Sequence, residues 1–221
     1  MRGGGERFVR WLRTGWQSPA ARSNGSRRRV PDIPTKAVRL TGCIALGWIA
    51  LANIPDVHAF RQAAIDQLFE TGRCLRCDLR GASLAHKDLR GVDLSGAHLI
   101  GANLETADMR GANLGGAWLA RANLRHANLA GASLLGAYLV DADLTGADLK
   151  KANLRDSMLA RAELTNANLD EAALSGANMQ GTKLLQVQGL AQDQLSASCG
   201  DADTNLPRGL SIAVCTDGGI Q

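Results

Sequence analysis

The sequence has few aromatic residues and few histidines. Three Phe, four Trp and one Tyr make up 4% of the 221 residues, so large rings do not build the core. The interior must consist of small and aliphatic side chains. Histidine occurs four times, and no acid, base and nucleophile are spaced so that they would converge. We therefore expect no enzyme and no catalytic, cofactor or metal site.

Acidic residues are scarce only at the start of the chain. Residues 1–59 carry ten Lys or Arg and three acidic residues, a net charge of +7, whereas residues 60–221 carry fifteen and eighteen, a net charge of −3. The overall charge of +4 therefore belongs to the first segment and indicates no nucleic-acid partner.

A hydrophobic run long enough to span a membrane is also missing. Residues 40–54, "LTGCIALGWIALANI", are fifteen in number, and a spanning helix needs about 20. Lys36 and Arg39 precede this run, and Val57 and Ala59 take the small-residue positions of a cleavage site. This order of features is typical of a signal peptide.

The first 59 residues are therefore interpreted as two targeting segments. We expect a disordered basic leader over residues 1–35 and a signal peptide over residues 36–59. Cleavage near Ala59 would leave a periplasmic or secreted bacterial protein that begins at Phe60. An uncleaved inner-membrane anchor is the alternative, and only then would the protein contact a membrane.

Leucine, in contrast, recurs at every fifth residue. Over residues 79–184 there are 22 such positions, and all hold Leu except Met109 and Met179. The residue two before each is Ala, except at Cys77, Lys87, Val92, Ser157 and Thr182. Neither the helical period of 3.6 nor the strand period of 2 gives this pattern.

A five-residue period indicates a coil with short sides. If each pentad forms one side, the Leu and the small residue two before it point inward, and the other three residues face water. Four sides then close a coil of twenty residues, and coils stack at the strand spacing of about 4.8 Å. Glycine often stands two residues after the Leu, where a corner would need its conformational freedom.

The motif A(D/N)LXX, as in "GADLKKANLRDSMLARAELTNANLDEAALSGANM" at residues 146–179, resembles the pentapeptide repeat family. The resemblance covers residues 77–186 and implies an all-β fold, a right-handed quadrilateral β-helix or solenoid. Some members of that family protect DNA gyrase by presenting an acidic rod. Here residues 77–186 carry twelve acidic and eleven basic residues, which disfavours imitation of DNA.

The segments beside the repeat are expected to cover its ends. Residues 60–76 contain an N-terminal capping helix at 60–73, with Ala64, Ile65, Leu68 and Phe69 on one face, followed by a CxxC motif. Residues 187–221 form a C-terminal cap, with a short helix at 189–198, a turn at 206–209 and an extended segment at 210–215.

Four cysteines lie in these end segments. In an exported protein, Cys199 and Cys215 are candidates for a disulfide, and so are Cys74 and Cys77. Cys74 and Cys77 also fit as plain inward core residues, and this alternative stays open. Lys87 occupies an inward position, so we expect a local distortion or an amine that reaches the N-terminal end segment.

One outward column differs from all others. Positions twenty apart stack, which aligns Asp78, His98, Trp118, Tyr138, Met158 and Asn178. The column beside it contains Arg80, Ile100, Ala120, Val140, Ala160 and Gln180. An apolar strip with a polar frame is typical of an interface, so the candidate partner-binding residues are His98, Ile100, Trp118, Tyr138, Val140 and Met158.

The sequence therefore predicts a non-enzymatic structural or protein-interaction module of unknown partner. The occupant of the apolar strip would be another protein, a second copy, or a glycan stacked on Trp118 and Tyr138. Two simpler interpretations remain: rings that only stiffen the rod, or rings covered by the N-terminal segment. A DNA-mimic inhibitor of gyrase or of another DNA-binding protein is the alternative function.

Overall fold

The computed structural model describes residues 57–216 and 219–220, with side chains over residues 61–216. The predicted basic leader and the apolar run of the signal peptide lie outside this part. The described elements are helix α1 (Val57–Thr71), helix α2 (Gln192–Leu195) and strands β1 (Cys199–Gly200), β2 (Ala213–Thr216) and β3 (Gly219–Ile220). Within the described residues, no helix is long and apolar enough to cross a membrane.

Between α1 and α2 the chain winds as a coil of twenty residues. Parallel bridges join residues twenty apart, as in His98 with Trp118 and Trp118 with Tyr138. The N–H of Leu99 donates to the carbonyl of Trp118 at 2.8 Å, and the equivalent bond recurs from coil to coil. Four such series of bridges run along the rod, so the four-sided stacked coil that the period predicts is confirmed.

The core is a column of leucines packed on alanines. Leu119 and Ala117 are fully buried, and so are the residues at the equivalent positions along the repeat, except Lys87, which is exposed, and Cys77, which is half-buried. Each buried leucine stabilises the fold by about 1.5–3 kcal/mol relative to an exposed one. The predicted assignment of inward positions is therefore confirmed except at Lys87.

The corners adopt the left-handed backbone region. Gly81 has a φ of 61°, and the N–H of Ala82 donates to the carbonyl of Leu79 at 3.0 Å to close the turn. Residues other than glycine adopt the same φ at the equivalent position, for example Lys151 at 57°. An L-residue in this region costs about 1–2 kcal/mol, and the inter-coil hydrogen bonds offset that cost.

Helix α1 packs on the first coil with a narrower face than predicted. Leu68 is buried, and Ala64 and Ile65 are partly buried against the leucine column. Phe69 is 47% exposed, so its predicted place on the buried face is wrong. The helix begins at Val57, three residues before the predicted segment 60–73, and ends at Thr71, two residues before the end of that segment.

Lys87 reaches the N-terminal end segment. Its side chain is exposed, and its Nζ lies 5.9 Å from the centroid of the Phe69 ring. The turn at this position is wide, because the N of Lys87 lies 3.4 Å from the carbonyl oxygen of Leu84, whereas that of Ala82 lies 3.0 Å from Leu79. The next turn, from Val92 to Leu89, is equally wide at 3.4 Å. The side chain at position 87 thus leaves the inward position that the repeat assigns to it, and its amine lies over the Phe69 ring.

The C-terminal segment continues the coil with a changed register. Asn178 bridges to Cys199, an offset of 21 residues, because α2 and its turns occupy one side. Helix α2 has four residues, shorter than the predicted helix. The Nε2 of Gln194 donates to the carbonyls of Leu169 and Ala172, both at 2.8 Å, and thereby satisfies acceptors of the last coils.

Strands β1, β2 and β3 form a small sheet in that order, with β1 parallel and β2 antiparallel to the next strand. The sulfur atoms of Cys199 in β1 and Cys215 in β2 lie 2.06 Å apart. Those of Cys74 and Cys77 lie 2.08 Å apart. Both pairs are therefore at the distance of a disulfide bond.

Candidate functional site

The rings of the outward column stack on one another along the rod axis. We call the column at positions 78, 98, 118, 138, 158 and 178 the ring column. The Trp118 and Tyr138 ring centroids lie 4.7 Å apart with an interplanar angle of 20°, and those of His98 and Trp118 lie 5.8 Å apart at 16°. The ladder sets this spacing, because the N–H of Trp118 donates to the carbonyl of Ala97 at 2.9 Å.

The rod side that contains the ring column is called the ring face below. Trp118 is 43% exposed, Tyr138 36% and Met158 38%, and Ile100 and Val140 beside them are half-buried. His98 is also exposed. The structure therefore brings all six predicted residues onto one surface.

Stacking decides which part of each ring meets solvent. The faces of Trp118 point toward His98 and Tyr138, so its exposed part is an edge. Glycan binding by aromatic stacking needs a free ring face. The geometry therefore argues against a sugar stacked on Trp118 and leaves an apolar edge suited to side-chain contacts.

Paired charges frame the ring face. Near its N-terminal end Arg80 donates to both carboxylate oxygens of Asp78, at 2.8 and 2.6 Å, and this hydrogen bond lowers the pKa of Asp78 to about 2. Near the other end Arg161 donates to Asp141 at 2.7 Å and holds the pKa of that carboxyl below its usual range. Charge at both ends is thus largely neutralised by local partners.

The other sides of the rod are covered by polar ladders. Arg90 pairs with Asp88 at 2.6 Å, and Arg110 pairs with Asp108 at the same distance one coil later. On another side, Arg125 pairs with Asp143 across coils at 3.0 Å. The apolar ring face therefore contrasts with the paired, hydrophilic surface around it.

A groove that the sequence reasoning missed lies beside the ring column. Its volume is about 690 Å³, within the range of ligand-binding clefts. It is lined by Leu75, Arg76, Ser95, Gly96, His98, Gly115, Gly116 and Trp118. The sequence feature that could have indicated this groove is Gly115, because it is the one glycine that directly follows the core Leu or Met among the 22 pentads.

The described residues contain no group of three or more His, Cys, Asp and Glu that could hold a metal ion. The Nδ1 of His86 hydrogen-bonds to the hydroxyl of Thr106 one coil away. His126 lies over Gly146, where a Cβ would meet its ring at 2.5 Å. These two histidines are therefore engaged with neighbouring coils.

The four-sided coil, its leucine column and its five-residue period define a class of protein, the solenoids built from pentapeptide repeats. The pentapeptide repeats family matches residues 73–111, 107–146 and 147–184, with eight copies. The chain belongs to the pentapeptide repeat family. Membership implies a right-handed winding of the quadrilateral β-helix.

Several solved structures are similar to this chain. Rfr23, a pentapeptide repeat protein from the cyanobacterium Cyanothece 51142, is 25% identical over 66% of this chain and 99% of its own, with a TM-score of 0.48. A pentapeptide repeat protein of the Arabidopsis thaliana thylakoid lumen is 31% identical over 57% and 84%, with a TM-score of 0.24.

A third structure is a trypsin-treated form of QnrB1, a plasmid-mediated fluoroquinolone resistance protein. It is 20% identical over 63% of this chain and 78% of its own, with a TM-score of 0.47. No curated protein matches the chain.

Proposed function

We propose that this protein is an exported, non-enzymatic interaction module whose ring face docks another protein. The observation that carries the proposal is the exposed apolar strip that Trp118, Tyr138 and Met158 form along one side of the rod, whereas the exposed Leu135 and Leu185 stand singly on other sides. Proteins of this family are in general non-catalytic structural or interaction modules, which supports the proposal. An apolar strip within a polar frame is typical of a protein interface.

Photo-crosslinking tests the proposal in cells. A benzoyl-phenylalanine at Val140 on the ring face should give a crosslinked adduct, and the same residue at Ala130 should give none. Both positions are half-buried and directly follow a core leucine, and ten residues of separation puts them on opposite sides of a twenty-residue coil. The control is therefore matched in backbone position and in exposure.

Changing Trp118 and Tyr138 to Asn, the residue common at this position of the repeat, should abolish the adduct at Val140. An adduct of twice the protein's mass would identify a second copy as the partner. Equal adducts from both positions, or an adduct at Val140 that survives the double change, would refute docking through the ring face.

The end segments are proposed to act as caps. This is supported by Leu68 of α1, which is buried against the first coil, and by Gln194 of α2, which satisfies carbonyls of the last coils. Disulfides at Cys74–Cys77 and Cys199–Cys215 would fasten these caps after export. Free-thiol labelling of the exported protein, before and after reduction, checks both bonds.

Export itself remains part of the proposal, on the strength of the signal-peptide pattern at residues 36–59. Amino-terminal sequencing of the mature protein from the periplasm should give Phe60. An intact chain in the cytoplasm would instead favour the DNA-mimic alternative. That alternative has little electrostatic support, because the rod's acidic residues are nearly balanced by basic ones and several form ion pairs.

A further inference from the structure

Gly115 does not need the conformational freedom of glycine. Its φ lies outside the left-handed region, unlike that of Gly116 beside it at 62°. Its N–H donates to Oδ1 of Asn113 at 3.1 Å, and the same bond at the same distance occurs where the donor is Arg125. A side chain is therefore compatible with this backbone, and its absence at position 115 leaves open the space beside the edge of Trp118.

Arg76 supplies the charge at this groove. Its side chain lies along Gly96, where a Cβ would come within 3.1 Å of its Cγ and 3.9 Å of its Nε. Among the described residues, no carboxylate forms an ion pair with it, in contrast to Arg80 one pentad later. The groove thus combines a recess at Gly115 and Gly116, bordered by Trp118, with the unpaired Arg76 side chain, which lies along Gly96 one coil below the recess.

The separation of these two features fits an extended chain. Successive coils are about 4.8 Å apart, and side chains on one face of an extended strand repeat at about 6.8 Å. The Arg76 side chain is flexible and can make up the difference between these two spacings. A segment lying along the rod would therefore place one side chain in the recess and the carboxylate of the next residue but one against the guanidinium.

The footprint favours a short segment over a second folded copy. Six coils and about three extended residues across one side make a surface of roughly 30 by 10 Å, about 300 Å². A stable interface between two folded proteins buries about 800 Å² on each partner. A segment bound through a pocket and one ion pair needs far less.

We propose that the groove between Arg76 and Trp118 binds an extended segment of a partner protein that presents an apolar side chain and an Asp or Glu two residues apart. The apolar side chain packs into the Gly115–Gly116 recess against the indole edge, and the carboxylate pairs with Arg76. This inference rests on the proposed interaction function and specifies the chemistry of the partner.

Selection from a displayed library of random seven-residue peptides tests it. The full chain is the bait, and the Gly115→Arg variant, which fills the recess, is used for counter-selection. Enriched peptides should carry an apolar residue and an acidic residue two positions apart. With Arg76→Glu as bait, the acidic residue should be replaced by Lys or Arg at the same spacing.

An enriched peptide can then be titrated while the fluorescence of Trp118 is followed, in a full chain whose other tryptophans, Trp11, Trp16 and Trp48, are Phe. The emission should shift to shorter wavelength on binding. We expect at least a tenfold weaker Kd for Gly115→Arg and for Arg76→Glu, and a change below twofold for Ala130→Arg, which adds the same side chain on another side.

Circular dichroism and thermal melting check that each variant is folded. If Gly115→Arg is unfolded, Arg76→Glu, a change on the surface, tests the inference by itself. The inference is overturned if no such pattern is enriched, or if peptides bind Arg76→Glu as well as the parent. If the Val140 crosslink persists in these groove variants but is lost with the Asn changes at Trp118 and Tyr138, only the groove inference fails. If the Val140 crosslink persists in both sets of variants, the docking proposal fails as well.

Discussion

At the scale of single residues, outward positions next to the core carry most of the information about function. Trp118 and Tyr138 stand where the repeat usually has Asn or Asp, and the ladder places their rings 4.7 Å apart. Such a pair contributes about 0.5–1.5 kcal/mol beyond its buried area. Stiffening of the rod and binding at the ring edges are therefore compatible, since they use different parts of the same side chains.

The two classes of glycine should respond differently to a methyl group. Gly101 has a φ of 64° and nothing within 4 Å of a built Cβ, so Gly101→Ala should destabilise by about 1 kcal/mol through backbone strain alone. Gly115→Ala should stay within about 0.5 kcal/mol of the parent, because its backbone is ordinary and the nearest atom to the new methyl group would be Oδ1 of Asn113, at 3.2 Å. Chemical denaturation of both variants measures this, and equal losses would contradict the assignment of Gly115 to a groove.

Which residues point inward was predictable from the sequence, whereas ring orientation was not. Spacing alone assigns Leu119 to the core and Trp118 to the surface, because a strand alternates its side chains. That Trp118 presents an edge depends on its χ angles and on contact with His98 and Tyr138. The left-handed φ of Lys151 was equally hidden, because composition marks such corners only where glycine occupies them.

At the scale of elements, ion pairs within a pentad lower the pKa of carboxyl groups on the rod surface. Arg90 donates to both carboxylate oxygens of Asp88, and chiefly this bond lowers the pKa of Asp88 from 3.8 to about 2. Because the folded-state pKa is depressed, the pair's stabilising contribution is fully present above about pH 4. It is lost as the pH falls toward 2.

Titration of the Asp88 carboxyl by nuclear magnetic resonance should therefore show a midpoint near 2, and Arg90→Gln should move it toward 3.8. Global stability should change little, because the pair is exposed to solvent. The Asp143 carboxyl, which pairs with Arg125 on another side of the rod, serves as an internal reference that should not respond to Arg90→Gln. A midpoint for Asp88 that is insensitive to Arg90 would show that the pair does not persist in solution.

Helix α1 should be required for stability through a single anchoring residue. Leu68→Ala removes a fully buried side chain and should cost about 2–5 kcal/mol in the free energy of unfolding. Phe69→Ala is the neighbouring control, and it should cost much less because the ring is 47% exposed. Denaturant melts compare the two, and a larger loss for Phe69 would reverse the assigned orientation of the helix.

The existence of both helices was predictable, but their limits were not. Helical periodicity in residues 60–73 indicates α1, yet the period does not determine that the helix begins at Val57. Helix α2 is four residues long because Gln194 must meet the carbonyls of Leu169 and Ala172, a constraint set by the last coils. Tertiary contact, absent from local sequence, therefore decides these limits.

At the scale of the whole molecule, each coil contacts only the coils beside it, so the arrangement of columns depends on counting residues. Deletion of residues 142–161 removes one full coil and keeps every column aligned. Deletion of residues 124–128 removes one side and moves Tyr138 to a different side from Trp118. Both variants keep the five-residue pattern and should fold.

Near-ultraviolet circular dichroism should distinguish these deletions. The signal from the stacked Trp118 and Tyr138 should persist after the twenty-residue deletion and disappear after the five-residue one. Far-ultraviolet spectra provide the check that both are folded. Retention of the ring signal in the shorter deletion would contradict a strict twenty-residue coil.

The ladder also determines how the molecule would respond to force. Its hydrogen bonds, such as that from Leu99 to Trp118, run along the rod axis and join one coil to the next. A pull on the C-terminal end would load these bonds one coil at a time, because each hydrogen bond of the ladder joins two adjacent coils. Each step would release twenty residues, about 70 Å of slack. The rod would therefore yield as a series of small, even extensions.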